Sequence, residues 1–272
     1  MSEEGWTAVP LAVTTDPVHG GRWTSLRSPG REWLWTNPDP EVAAARSVVA
    51  PGDAFVDAGG VEECLPTVRG LPDHGDAWSR AWDAVSGSVE VPGVGRLRRQ
   101  LEVTDGGVEV GYELLGRPGT AFLHAVHALL AASESARLVV PEWDSATVLD
   151  PEPHPVEWPS GLDRLGPDDG TATCVLLTGC SAATILDGDD ALDFTWTAPG
   201  ADDLCSLLFW RNLGGWPDAA PYRSIGVEPT IGRAADLSSA ADRDCVHLDH
   251  EGRHAWQLRV GARTRRMDVT GR

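Results

Sequence analysis

Three segments of the 272-residue chain hold side chains whose type and setting suit acid–base chemistry. The first runs from Phe55 through Asp57, Gly59-Gly60, Glu62-Glu63 and Cys64 to Pro66-Thr67, and resumes at Leu71-Pro72-Asp73-His74-Gly75-Asp76-Ala77-Trp78. Its paired glycines mark a place where backbone approaches something closely, and an ionisable cluster with tryptophan follows at once. In the second, Phe122 to Leu130, His127 interrupts an apolar strand, with His124 three residues before it. In the third, Tyr222 to Gly232, Glu228 lies between apolar residues just before Pro229. Taken alone, a histidine in an apolar strand is more often a satisfied core residue, and a glutamate before proline a strand-end charge. A histidine and a glutamate facing one cleft, however, make a general acid–base pair with separable pKa values.

Such a pair needs a rigid frame, and the patterning supplies strands. Leu192, Phe194 and Trp196 alternate with Asp193, Thr195 and Thr197, and Val108, Val110, Tyr112 and Leu114 alternate with Glu109, Gly111 and Glu113. Turn clusters such as Asp105-Gly106-Gly107 and Asp187-Gly188-Asp189-Asp190 separate these runs, so hairpins are expected over 98–115 and 182–197. Thirty glycines and twenty prolines agree with an all-β chain; only 40–49 and 234–243 read as briefly helical. The segment from Asp150 to Asp169, rich in proline, aspartate and glycine, is expected to be a long surface loop or a sheet-crossing connection. One domain over residues 1–272, a large antiparallel β-sandwich, fits best.

Composition narrows the function. Acidic residues number 41 against 22 basic ones, for a formal charge of −19, and every basic residue is arginine. That field repels nucleic acid and anionic membrane surfaces, and the absence of lysine excludes Schiff-base and P-loop chemistry. The five cysteines, Cys64, Cys174, Cys180, Cys205 and Cys245, form no CxxC pair and read as idle thiols of a reducing compartment. The acidic N-terminus has no apolar signal region, and the apolar run 125–132 is too short to span a bilayer, so a soluble, cytoplasmic protein is expected. His247, His250 and His254 have a ligand-like spacing, but Glu251-Gly252 reads as a turn that sends His254 onto a returning strand beside Trp256; no metal is expected. The paired aspartates at 168–169, 189–190 and 202–203 read as solvated turns, and Arg263, Arg265 and Arg266 as an exposed tail.

The order of the pieces is itself informative. Gly59-Gly60 with Pro66-Thr67, then His74-Gly75, then His127 with Leu129-Leu130, then Gly226-Val227-Glu228-Pro229-Thr230 resembles the aldose 1-epimerase (galactose mutarotase-like) superfamily. The N-terminal Gly20-Gly21-Arg22-Trp23-Thr24-Ser25-Leu26 with Glu32-Trp33-Leu34-Trp35 looks like that family's opening hairpin, so the resemblance spans about residues 15–260. It implies a galactose mutarotase-like β-supersandwich and an isomerase that interconverts the α and β anomers of a sugar without a cofactor. By the same resemblance His127 is the general acid on the ring oxygen, Glu228 the general base on the C1 hydroxyl, and His74 a sugar-binding residue. Asp76, Arg80 and Trp210 are weaker binding candidates, tryptophan because its face suits the C–H face of a sugar. Arg46 and Arg69 are the candidates for the family's substrate arginine. Ala128 stands where relatives carry proline or an aromatic. His124 would project to the opposite face of a regular strand, and a bulge would exchange its role with that of His127.

The mechanism so implied keeps His127 protonated and Glu228 ionised, each favouring the other's charge. A sugar-phosphate substrate would call for several arginines near the cleft, for which Arg69 and Arg80 are placed by sequence to either side of His74. A non-catalytic carbohydrate-binding protein would keep the aromatic surface and lose the acid–base pair. The partner expected in every case is a small carbohydrate.

Overall fold

The computed structural model describes residues 5–150 and 152–265. Two large antiparallel sheets make up most of the fold, and Ala121–Phe122 pairs with Val246–His247 in a small third one. Ten strands form one of the large sheets. From edge to edge its main path is His154–Pro155, Ser145–Val148, Thr171–Thr178, Cys205–Trp216, Tyr222–Ile231, His124–Leu130, Val61–Cys64, Arg22–Ser28 and Ala12–Asp16, and Arg31–Glu32 pairs with Arg22–Ser28. The eight-stranded sheet runs Arg137–Val139, Ala182–Asp187, Asp190–Thr197, Arg253–Arg265, Gly107–Gly116, Gly95–Thr104 and Ser88–Val91, with Trp6–Val9 on the flank of Arg253–Arg265. The alternating positions identified by sequence point into the layer between the sheets. There Val108, Val110, Leu192, Phe194, Trp196 and Leu258 pack against Trp23, Leu26, Val126, Leu207 and Val227 in one continuous apolar cluster. Both hairpins form, as Gly95–Thr104 with Gly107–Gly116 and Ala182–Asp187 with Asp190–Thr197.

A buried polar network ties the two sheets together beneath the site. Glu63, fully buried, accepts from Arg99 Nη1 at 2.7 Å and Tyr112 Oη at 3.0 Å, and its other oxygen meets His124 Nε2 at 2.9 Å. Burial alone would raise the Glu63 carboxyl; the His124 hydrogen bond and the Arg99 charge outweigh it and hold the pKa below the ordinary value. His124 therefore faces the inter-sheet layer, its ring 5.0 Å from those of Tyr112 and Trp256. His127 pairs in register with Glu62 and faces the other side of the ten-stranded sheet. The strand His124–Leu130 is buried along its whole length because both its faces are covered.

Some expectations differ from the structure. Helix forms over Pro40–Arg46, capped by Asp39 Oδ1 accepting from the Glu41 N–H. No α-helix forms over 234–243; a single 3-10 turn at Asp242–Asp244 overlaps its end. Asp236 accepts from both the backbone N–H and the hydroxyl of Ser238, a local turn that competes with helix, and the Ala235 carbonyl accepts from the N–H groups of Val68 and Arg69. Arg263 and Arg265 are not an exposed tail: they lie on Arg253–Arg265, with Arg263 bidentate to Asp193 at 2.6 and 2.7 Å and both guanidiniums over Trp6. Arg266 lies outside the described residues. The long segment after Asp150 begins and ends on neighbouring strands of the ten-stranded sheet, and midway it reaches the edge of the eight-stranded one, where the Asp163 carbonyl accepts from Leu138 and the Leu165 N–H donates to Ala136. His254 is on the strand beside Trp256, and His247 meets Asp242 at 2.9 Å. Among the described residues, no helix is long and apolar enough to cross a membrane.

Candidate active site

On the face of the ten-stranded sheet turned away from the eight-stranded one lies a cavity of about 590 Å³. His127 and Glu228 meet in it from adjacent strands, Nε2 and Oε1 3.7 Å apart, both nearly inaccessible to solvent. That separation exceeds a direct hydrogen bond. The Glu228 carboxylate lies back along its own strand over Gly226: a Cβ at 226 would stand 2.5 Å from Glu228 Oε1 and 2.9 Å from Trp210 Cβ. The apolar floor around the pair consists of Leu208, Val68 and Cys174.

The remaining wall comes from loops held by glycine. Gly59 and Gly60 have φ of +77° and +85°, and a Cβ on either would lie 2.2 Å from Trp35 O or 2.4 Å from Trp23 O. These turns are open to glycine alone and bring Phe55 and Asp57 to the cavity. His74 has φ +60°, a left-handed conformation uncommon for a side-chain-bearing residue, beside Gly75 at +71°. Its ring stacks on Phe55 at 3.6 Å and stands edge-on to His127 at 4.9 Å. Asp73 Oδ1 lies 3.1 Å from His74 Nδ1. Asp57 accepts from Tyr222 Oη at 2.6 Å, and Tyr222 stacks on Trp35.

Burial sets the electrostatics. It pushes the Glu228 carboxyl up to about 8, with the nearby Asp57 charge adding to the rise. It pushes the His127 imidazole well below its ordinary range, and His74 adds to that fall. Asp57 is itself raised by burial, against the Tyr222 hydrogen bond. Burial thus favours a carboxylic acid at Glu228 and a neutral imidazole at His127, not the charged pair expected from sequence, because desolvation of both groups outweighs their attraction across 3.7 Å. The number of protons is the same in either distribution.

His74, His127, Trp210 and Glu228 come together around the cavity, and Arg69 lines it too. Asp76 and Arg80 are not among its lining residues: they pair with each other at 3.3 Å, and Arg80 borders a separate shallow depression. Arg46 is spent within the fold, on Glu62 at 3.0 Å and on the carbonyls of His19 and Trp78. Arg69 is ion-paired with Asp150 at 2.7 Å at the mouth. Asp57, Asp73, Asp150 and Trp216 also line the cavity and were not singled out as binding residues. Asp57 and Asp73 lie inside the first reactive segment, at turns whose direction the residue types alone did not fix. Asp150 and Trp216 carry no local signal, since their place depends on long-range pairing.

The fold made by these two antiparallel sheets is a galactose mutarotase-like β-supersandwich. Solved structures share it. The Slr1438 protein of Synechocystis superposes with a TM-score of 0.68 at 14% identity, covering 93% of this chain and 95% of that one. A "putative aldose 1-epimerase" of Escherichia coli K12 gives 0.66 at 16% identity over 94% and 99%. A galactose mutarotase-like protein of Clostridium acetobutylicum gives 0.61 at 11% identity over 95% and 94%. No family model matches the sequence, and no curated protein matches it.

Proposed function

We propose that this protein is an aldose 1-epimerase-like isomerase that interconverts the α and β anomers of an unphosphorylated sugar. The observation that carries the reading is the His127–Glu228 pair, buried at 3.7 Å in a cavity large enough for a sugar. Glu228 takes the proton of the C1 hydroxyl as the C1–O1 bond becomes a carbonyl and the bond from C1 to the ring oxygen breaks. His127 gives its proton to that ring oxygen. Rotation about C1–C2 presents the other carbonyl face, and the ring closes with both transfers reversed. A bound sugar donates from its C1 hydroxyl to Glu228 and accepts at its ring oxygen from His127, which supports moving the pair's single proton onto the imidazole. A carboxylate whose pKa is raised to about 8 is a stronger base than an exposed one, and each transfer is worth ~10²–10⁴-fold. Phe55, stacked on His74, and Trp210 offer apolar surface for the sugar's C–H faces.

The lining speaks against a phosphorylated substrate. Asp57, Asp73, Asp150 and Glu228 face the cavity, and Arg69, the arginine that joins them there, already holds Asp150. A dianionic phosphate would meet repulsion and would have to compete with Asp150 for Arg69. Polarimetry on freshly dissolved α-D-glucose and α-D-galactose tests the reading. Wild-type protein is expected to speed the approach to equilibrium and E228Q to lose nearly all of that effect. An E228Q rate near wild type would remove Glu228 from the mechanism.

A further inference from the structure

The cavity has more room than one sugar ring fills. A hexose has about a dozen heavy atoms, none larger than a water molecule, so at ~30 Å³ each it fills at most about 360 Å³, well short of the 590 Å³ present. The surplus space has a direction. Along the ladder between Cys205–Trp216 and Tyr222–Ile231, Glu228 pairs with Leu208, Gly226 with Trp210, Ser224 with Asn212 and Tyr222 with Trp216. Of these residues Glu228, Leu208, Trp210 and Trp216 line the cavity, so its wall runs from the acid–base pair along the ladder to Trp216. Trp210 lies next to the acid–base pair, and Trp216 continues the aromatic surface outward, its ring edge-on to that of Trp210 at 6.1 Å.

The outer tryptophan is held in place by buried polar groups. The ladder shifts register between Leu213 and Trp216, a bulge of the kind that re-aims a side chain. Asn212, with no solvent exposure, holds that bulge: its Nδ2 donates to the Trp216 carbonyl at 2.8 Å, and its Oδ1 accepts from the N–H groups of Gly215 and Trp216, both at 3.0 Å. Ser224, also buried, accepts from Trp210 Nε1 at 3.1 Å. One buried Asn–Ser pair thus fixes the Trp210 ring and the Trp216 backbone, and Trp216 remains 43% exposed. Gly215 lies so close to the neighbouring strand that a Cβ would stand 2.3 Å from the Thr171 carbonyl carbon, and Ala172 beside it is small, so the floor under this end is low.

We infer that the site takes the reducing end of a disaccharide or longer oligosaccharide, with the reacting ring at His127 and Glu228 and the next ring on Trp216. Resting on the anomerase reading, this names the substrate class of the same site. The second ring is joined through a hydroxyl remote from C1 and lays its apolar C–H face on the exposed indole.

Methyl glycosides separate the two ideas, because they cannot change anomer and report binding alone. Calorimetric titration of the wild-type protein would compare methyl β-glucoside and β-galactoside with methyl β-maltoside, β-cellobioside and β-lactoside. At least one disaccharide is expected to bind about tenfold more tightly than the monosaccharide of its first ring. W216A should bring that ratio close to one, and W216F should restore part of it. Equal affinities in the wild type, no binding of any glycoside, or a preference that survives W216A would each overturn the inference. A disaccharide preference in a protein without mutarotation would keep the outer subsite and discard the anomerase reading. Mutarotation without the preference would do the reverse.

Discussion

Gly226 and Glu228 lie two residues apart on one strand, and the absence of a side chain at the first sets the position of the carboxylate of the second. A Cβ at 226 would come to 2.5 Å from Glu228 Oε1 while also meeting Trp210 at 2.9 Å. Trp210 is not free to yield, because it is tied to Ser224 at 3.1 Å, whereas the Glu228 carboxylate borders the open cavity. The carboxylate must therefore be the atom group that swings.

That makes G226A a test of geometry at near-constant composition. The residue is in a regular strand, where alanine is tolerated, so the substitution should lower the melting temperature by only a few degrees. Displacing a catalytic oxygen by about 1 Å costs on the order of 10²-fold in rate. The expected outcome is a fall of about 10–100-fold in kcat for anomer exchange with circular dichroism unchanged. Wild-type turnover would show that the carboxylate needs no such seat.

His124 and His127 should separate stability from activity. H124A strips the buried Glu63 carboxylate of one of its three partners, and losing a hydrogen bond to a buried charged group costs about 1.5–3 kcal/mol. H127A removes an acid from the cavity and leaves the inter-sheet network whole. Chemical denaturation and polarimetry on the two variants should give opposite rankings: H124A the less stable, H127A the slower. A slower H124A with unchanged stability would exchange the two histidines' roles.

How much of this was legible before the structure depends on the range of the interactions. The Val108–Leu114 and Leu192–Trp196 alternations identify strands because one face of each is buried, and period-two burial leaves a mark in a single segment. His127 and Glu228 are visible as polar residues in apolar strands. That they meet depends on the antiparallel pairing of His124–Leu130 with Tyr222–Ile231, about a hundred residues apart, which no local pattern records. Asp76 and Arg80 were grouped with His74 by sequence proximity, but the left-handed turn at His74-Gly75 sends His74 into the cavity while Asp76 and Arg80 turn to each other. Their nearness along the chain says nothing about side-chain direction across such a turn. The protonation of the pair was misjudged for a related reason. Mutual attraction can be guessed from residue types, whereas the desolvation that outweighs it depends on how deeply both groups are buried.

That desolvation has a measurable consequence for folding. The Glu228 carboxyl titrates near 4.5 when exposed and at about 8 in the pocket. Its folded pKa lies above its unfolded one, so the folded state binds this proton more tightly. The stabilisation is full below pH 4.5 and is lost as pH rises through 8. Glutamine keeps the shape of the neutral acid and cannot ionise. E228Q should therefore lie within about 1 kcal/mol of wild type at pH 5 and melt above it at pH 9, the gap widening by up to about 4 kcal/mol or roughly 8–16 °C. Glu62, raised to about 7 by burial against the Arg46 charge, is common to both proteins and drops out of the difference. Thermal melts of the two proteins in matched buffers across that range would decide it. A difference independent of pH would mean that Glu228 ionises as easily in the pocket as in water, and the dry acid–base pair at the centre of the proposed reaction would go with it.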